Sequence, residues 1–182
     1  MSNKAPEFEL HTRFAPHLLP HAAEYGVLFP GGYRVVLPCL VRYSTHCYTR
    51  GRLESDGPSA QFVIDAQGEE RVVCSDRLRF SKKLPDLILG LETKKVWRAR
   101  SRDTSFYRIE ADPGRDSGWT VCFDLEVNNV HQCIDVFVRS AHHRTNRPDA
   151  SGSPQQFFRM VREIYLKHQP RCPWMPPLPP RL

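Results

Sequence analysis

Trp119-Thr120-Val121-Cys122-Phe123-Asp124-Leu125-Glu126-Val127 sets apolar positions against alternate ones over its whole length. Successive side chains of an extended chain point to opposite faces. Trp119, Val121, Phe123, Leu125 and Val127 therefore share one face, and Thr120, Cys122, Asp124 and Glu126 share the other. A strand with one inner and one outer face belongs to an antiparallel sheet covered on one side. Working outward, three more β-like runs stand at hairpin spacing: Lys95 to Arg100, Ser105 to Ala111 and Cys133 to Arg139. The connections Arg102-Asp103, Asp112 to Gly118 and Asn128-Asn129 all carry turn chemistry. The pattern predicts an antiparallel meander of four strands.

Helices are expected on either side of it. Ser81 can cap a helix in which Leu84, Leu87, Ile88 and Leu91 form one apolar face, with Pro85 in the first turns. After a linker over 144–153, residues Pro154 to His168 read as a second helix, with Phe157, Val161, Ile164 and His168 on one face and Phe158 and Tyr165 beside it. From Pro170 the last thirteen residues hold six prolines and predict extended chain. Pro176 to Arg181 looks like an SH3-type ligand, although a non-folding tail is the preferred reading. Upstream, Tyr33 to Val41 is β-like, with Pro38 expected to confine it to an edge or a bulge. Short strands near Phe62 to Asp65 and Arg71 to Cys74 flank a turn at Gln67-Gly68, and residues 1–30 form a His- and Pro-rich arm with a short helix around Leu18 to Tyr25. The expected class is α+β: an antiparallel sheet of four or more strands covered by one or two helices. The expected division is an arm over 1–30, a domain over 31–143, a linker, a C-terminal helix over 154–169 and a Pro-rich tail over 170–182.

A chain of 182 residues, 40% hydrophobic, can bury one ordinary core. Its formal net charge is +6, and all of that excess lies after residue 138: eight Lys/Arg against Asp149 and Glu163, with 18 charges of each sign before. Such asymmetry suits an anionic partner, RNA first or an acidic protein, though a solvated basic flank has the same composition. The six cysteines stand singly, with no C-x-x-C pair, against both a zinc ribbon and a disulfide framework. The N-terminus lacks an apolar signal core, and no run approaches the roughly 18 apolar residues of a membrane span. The expectation is a soluble cytoplasmic protein with no membrane partner.

The chemistry concentrates at Arg139-Ser140-Ala141-His142-His143-Arg144 and around His46-Cys47. Adjacent residues of an extended chain face opposite ways, so neither His46-Cys47 nor His142-His143 offers two ligands to one metal, and no metal or other cofactor is expected. Cys47, among Arg42, Arg50 and Arg52, could be a nucleophile or a small buried thiol. Metal-independent cleavage of RNA asks for less. The 2′-hydroxyl is the nucleophile, and the protein supplies a base, an acid and cations for the phosphate. His46 and His142 are the candidate base and acid in either order, and Arg139 the candidate stabiliser of phosphate charge. Thr49, Arg50, Arg98, Tyr107, Arg108 and Ser140 are candidate substrate contacts, with Arg100 beside them, and Arg144, Arg159, Arg162 and Lys167 candidate nucleic-acid contacts. The alternatives are that His46 packs against backbone and His142-His143 solvate a strand end. The protein would then be a non-catalytic module binding nucleic acid or protein, or one whose Pro-rich tail is the ligand.

A helix followed by four antiparallel strands with polar residues ending the last one resembles the fold of RelE-type toxins, barnase-like and EndoU-like ribonucleases and colicin nuclease domains. Ser81 to Leu91 would be the helix and Lys95 to His142 the meander, about a third of the chain. Separately, Thr45-His46-Cys47-Tyr48-Thr49 and Val138-Arg139-Ser140-Ala141-His142 are similar to elements of small phage- or plasmid-associated proteins with a His-Cys-aromatic-Thr motif and a Val-x-Ser-Ala-aromatic ending. The resemblance implies RNA cleavage, a setting in mobile elements or bacterial competition, His46 as the family-type histidine, and a cognate inhibitor protein as a partner. The chain departs from it in its length beyond a RelE toxin, its two extensions, and His142 where an aromatic is usual.

Overall fold

Turn residues and two-residue periodicity divide the chain into short elements, seen in a computed structural model that describes residues 7–29, 32–101, 104–111, 117–145 and 154–177, the side chains of 99–101, 104 and 105 excepted. In order these are α1 (Glu7–Phe14), β1 (His21–Leu28), β2 (Arg34–Tyr43), β3 (Thr49–Gly51), β4 (Phe62–Ile64), β5 (Glu70–Val73), α2 (Ser75–Ser81) and α3 (Leu84–Leu89). Then come β6 (Lys95–Ser101), β7 (Thr104–Glu110), β8 (Gly118–Asn128), β9 (Cys133–Arg144), β10 (Gln155–Gln156) and α4 (Phe157–His168).

The meander forms as its alternation predicts: β6 to β9 pair antiparallel in sequence order. What the pattern does not announce is that β9 also takes β2 in parallel, from Cys39↔Ile134 to Tyr43↔Val138, and that β2 carries β1 antiparallel on its far side. The large sheet thus runs β1-β2-β9-β8-β7-β6-β10, while β3, β5 and β4 make a separate small one. The class is α+β, and the sheet is mixed instead of antiparallel throughout. A parallel pair needs a long crossover, and here that crossover comprises the small sheet, α2, α3 and most of the meander.

Three local expectations are corrected. Leu18 to Tyr25 is not a helix, because β1 runs over most of it: Ala23, Tyr25 and Val27 are buried while Ala22, Glu24 and Leu28 are exposed, a period of two. Ser81 ends a helix instead of starting one. The turn breaks at Lys82-Lys83 before α3, since Pro85 has no N–H to give the carbonyl of Ser81. The chain after Pro170 does not hang free as far as residue 177: Cys172 and Met175 are buried, and the Tyr165 hydroxyl donates to the Pro176 carbonyl at 2.7 Å. The Cys172 thiol and Trp174 Nε1 both donate to Asn129 Oδ1, at 3.2 and 3.0 Å. The remainder of the expected tail and the linker from 146 to 153 lie outside the described residues. Pro38 sits inside β2, yet the ladder to β9 begins only at Cys39, so at Pro38 one side of the strand is still an edge. The turn at Gln67-Gly68 forms as expected, with Gly68 at φ 86°, where a side chain would be strained.

The sheet curls around α4. Phe157, Met160, Val161 and Tyr165 are buried, with Tyr25 edge-on to Phe157 at 4.9 Å and Phe29 edge-on to Tyr165 at 5.5 Å. Leu84, Ile88 and Leu91 fill the opening beside β1, where the Tyr25 hydroxyl donates to the Ile88 carbonyl at 2.6 Å. The inner faces of β2, β8 and β9 supply the rest: Val35, Leu37 and Val41, then Val121 and Phe123, then Ile134, Val136 and Val138. Among the described residues no helix is long and apolar enough to cross a membrane.

Candidate functional site

Past Tyr43, β2 leaves the sheet. The Ser44 side chain caps a single 3-10 turn, Thr45–Cys47, by accepting from the His46 backbone N–H at 3.2 Å. This turn lies against β9, with Ser44 N–H donating to the Val138 carbonyl at 2.9 Å. It buries Cys47 completely and leaves the His46 side chain one third exposed. Burial pushes the Cys47 thiol far up, and the thiol donates to the Val138 carbonyl at 3.4 Å. Cys47 is thus the small buried thiol of the two readings, and no nucleophile.

His46 Nε2 meets Asp65 Oδ2 at 3.0 Å. Asp65 follows β4, is 1% exposed, and accepts the backbone N–H groups of Gln67 and Glu69 on its other oxygen at 3.0 and 2.9 Å. Its burial alone would raise the carboxyl, but the bond from His46 and those two N–H groups outweigh it and hold Asp65 below the usual carboxylate range. The carboxylate is therefore ionised at neutral pH and orders the imidazole: Nε2 carries a proton and donates, and Nδ1 faces away as the exchangeable position. Among the described residues Nδ1 has no hydrogen-bond partner.

Arg77 of α2 closes the other side. Its Nη1 donates to the carbonyls of His46 and Thr49, at 3.2 and 2.7 Å, while Nε and Nη2 make no hydrogen bond among the described residues. Burial lowers the His142 imidazole below its ordinary value, and the Arg77 charge adds to the lowering, so His142 is held neutral. Arg77 thus bonds the His46 turn directly, and its charge is felt at His142. Asp65 and Arg77 escaped sequence reading. Asp65 announces itself only as a turn-former before Gly68, and Arg77 only as one more surface cation.

The other expected site residues disperse. Arg139 occupies a bulge in β9, since Cys122 pairs with Ser140 and Phe123 with Val138. There it pairs with Asp124 at 3.6 Å and lies 5.6 Å over the Phe106 ring. Cross-strand partners share a face. Ser140 with Cys122 and His142 with Thr120 are therefore on the side away from Val121 and Phe123. His142 stands opposite Thr120, while Arg139, inside the bulge and three positions back along β9, turns its guanidinium to Asp124. Thr49 is fully buried, its hydroxyl donating to the Thr45 carbonyl at 2.8 Å and accepting from Arg71 Nε at 2.9 Å, which leaves nothing for a substrate. Arg50 is held by Asp56, whose carboxyl that bond pulls down to about 2. Arg98 pairs with Glu163, and Arg144 with Glu110 at 3.3 Å. Tyr107 is half-buried and packs at 5.8 Å on Phe123, and Arg108 stands opposite Cys122 on the outer face. Arg159 and Lys167 are exposed and Arg162 half-buried on α4. The Arg100 side chain lies outside those described. Among the described residues no three His, Cys, Asp or Glu side chains are grouped to hold a metal ion.

Fold and site together define an α+β protein with a curled mixed sheet and a partly exposed histidine held by a buried aspartate at the place where its second strand leaves that sheet. The sequence model of the YjaZ family matches residues 8–165, and the chain belongs to the YjaZ family. No curated protein matches the chain, and no solved structure does.

Proposed function

We propose that the protein cleaves RNA without a metal, by proton transfer between two histidines. The observation that carries this reading is the pair formed by partly exposed His46 and buried, ionised Asp65, with Arg77 bonded to the His46 carbonyl and its charge felt at His142. The neutral His142 takes the proton of the 2′-hydroxyl. The 2′-oxygen attacks the adjacent phosphorus to form a 2′,3′-cyclic phosphate, and the bond from phosphorus to the 5′-oxygen breaks. His46, oriented by Asp65 at Nε2, gives the Nδ1 proton to that departing oxygen. The unused Nε and Nη2 of Arg77 face the charge that builds on the phosphate. Arg139, committed to Asp124, has no part in this scheme.

The test is incubation of labelled RNA with the purified protein in EDTA, beside a substrate with 2′-deoxy linkages. Cleavage of the RNA to cyclic-phosphate ends, no cleavage of the deoxy substrate, and about 10²- to 10⁴-fold loss in either His46→Ala or His142→Ala are expected. Equal degradation by the double variant sinks the proposal. One observation favours a second reading, a binding module without turnover. Arg159, Arg162, Lys167 and Arg171 make no ion pair among the described residues, which leaves α4 and the residues after it with an unneutralised basic flank.

A further inference from the structure

A cavity of about 840 Å³ lies away from His46, where two strands of the meander part. β7 and β8 pair only from Tyr107↔Phe123 to Glu110↔Thr120. Before Tyr107, β7 is paired to β6 alone, and beyond Phe123, β8 is paired to β9 alone, as far as Asn128. Two strand edges therefore face each other across a notch. Every second residue in each turns its N–H and C=O into that space. The free edge of β8 spans roughly 17 Å, the length of a five-residue strand, and the cavity volume falls within the range of specific ligand sites.

The notch has two chemically different sides. Its floor combines Met160 and Ile164 of α4, beneath Leu125 and Val127, with the charged Arg98, Glu163 and Lys167 beside them. Its outer rim carries Asp124 and Glu126 on successive outward positions of β8. Glu126 is exposed and makes no ion pair among the described residues, and Asp124 has only Arg139 at 3.6 Å. Burial raises the Asp124 carboxyl, Arg139 opposes this, and Glu126 adds to it, so a further cation beside these two acids would be stabilised.

We propose that this notch takes an extended peptide segment of a partner protein, added as a strand along β8, with apolar side chains facing α4 and lysine or arginine at the alternate positions. The free backbone edge supplies affinity, and the alternation of floor and rim supplies selectivity. Side chains directly opposite Asp124 and Glu126 would stand about 5 Å from them, within ion-pair reach. The inference is independent of the cleavage proposed above.

Three probes test it by fluorescence anisotropy: a labelled pentapeptide alternating valine and lysine, its glutamate-for-lysine twin, and the lysine peptide with methylated backbone nitrogens. The lysine peptide is expected to bind and to slow amide hydrogen exchange over residues 124–128. The glutamate twin should bind about tenfold more weakly, and the methylated one not at all. Glu126→Lys, at an exposed position, should weaken the lysine peptide about tenfold and favour its twin. Failure of the lysine peptide to bind at millimolar concentration, equal binding of the methylated peptide, or protection confined to other strands overturns the proposal.

Discussion

Asp65 does two jobs with its two oxygens, holding a turn with one and an imidazole with the other. Its depressed pKa makes its contribution to stability full above the ordinary aspartate value of 3.8, and that contribution is lost as pH falls through the folded value. The histidines act in a higher window. His142 and His17 are both lowered by burial first, with Arg77 adding at His142 and Lys82 and His11 at His17. The folded state therefore binds fewer protons than the unfolded chain below the ordinary histidine value of 6.5, and stability falls as pH drops through that value. Urea midpoints should decline from pH 7 to pH 5, and His142→Gln should flatten part of that slope; midpoints level across the window would refute the assignment. The Tyr25 hydroxyl sits on a buried carbonyl of α3. Tyr25→Phe removes this buried bond while the Gly90 N–H still reaches the same carbonyl, and a loss of about 0.5–1.5 kcal/mol in urea unfolding is expected.

Among the elements, α4 is the one around which the sheet closes. Phe157 meets Tyr25 at 4.9 Å and Phe123 at 6.3 Å, so it joins β1 to β8 through one side chain. Phe157→Ala should cost about 3–5 kcal/mol, measured by urea denaturation, and a loss under about 1 kcal/mol would mean that the helix is peripheral. The elements legible in the sequence were those with a long, unambiguous period: β8 by its alternation, α4 by its apolar face. β1 was not, because Ala22, Ala23 and Glu24 are good helix formers and only pairing with β2 makes the segment a strand. The parallel union of β2 with β9 left no trace, since alternation tells which way a side chain faces and nothing about which strand lies alongside. The site divided in the same way. His46 and His142 could be chosen by their chemistry, while the grip of Asp65 on His46 across 19 positions depends on where the small sheet folds back.

Taken whole, the molecule neutralises much of its charge internally. Arg139 and Arg144, which looked free in the sequence, answer Asp124 and Glu110 from neighbouring strands. The basic excess is thereby left to α4 and the residues after it. If single-stranded RNA lies along that flank, replacing Arg159, Arg162 and Lys167 with glutamine should reduce the slope of log affinity against log salt by about 2, with the cleavage rate at saturating RNA unchanged. An unaltered slope would place the RNA elsewhere.

The joining of β2 to β9 brings together partners from opposite ends of the chain. A polypeptide still emerging from the ribosome holds the β1 and β2 hairpin with one side bare until β9 has been made, and contacts so distant in sequence slow the search for the native state. Newly synthesised chains ending before Cys133 should accordingly be clients of chaperones, and pulse-labelled refolding should protect the amides of β1 and β2 after those of the meander.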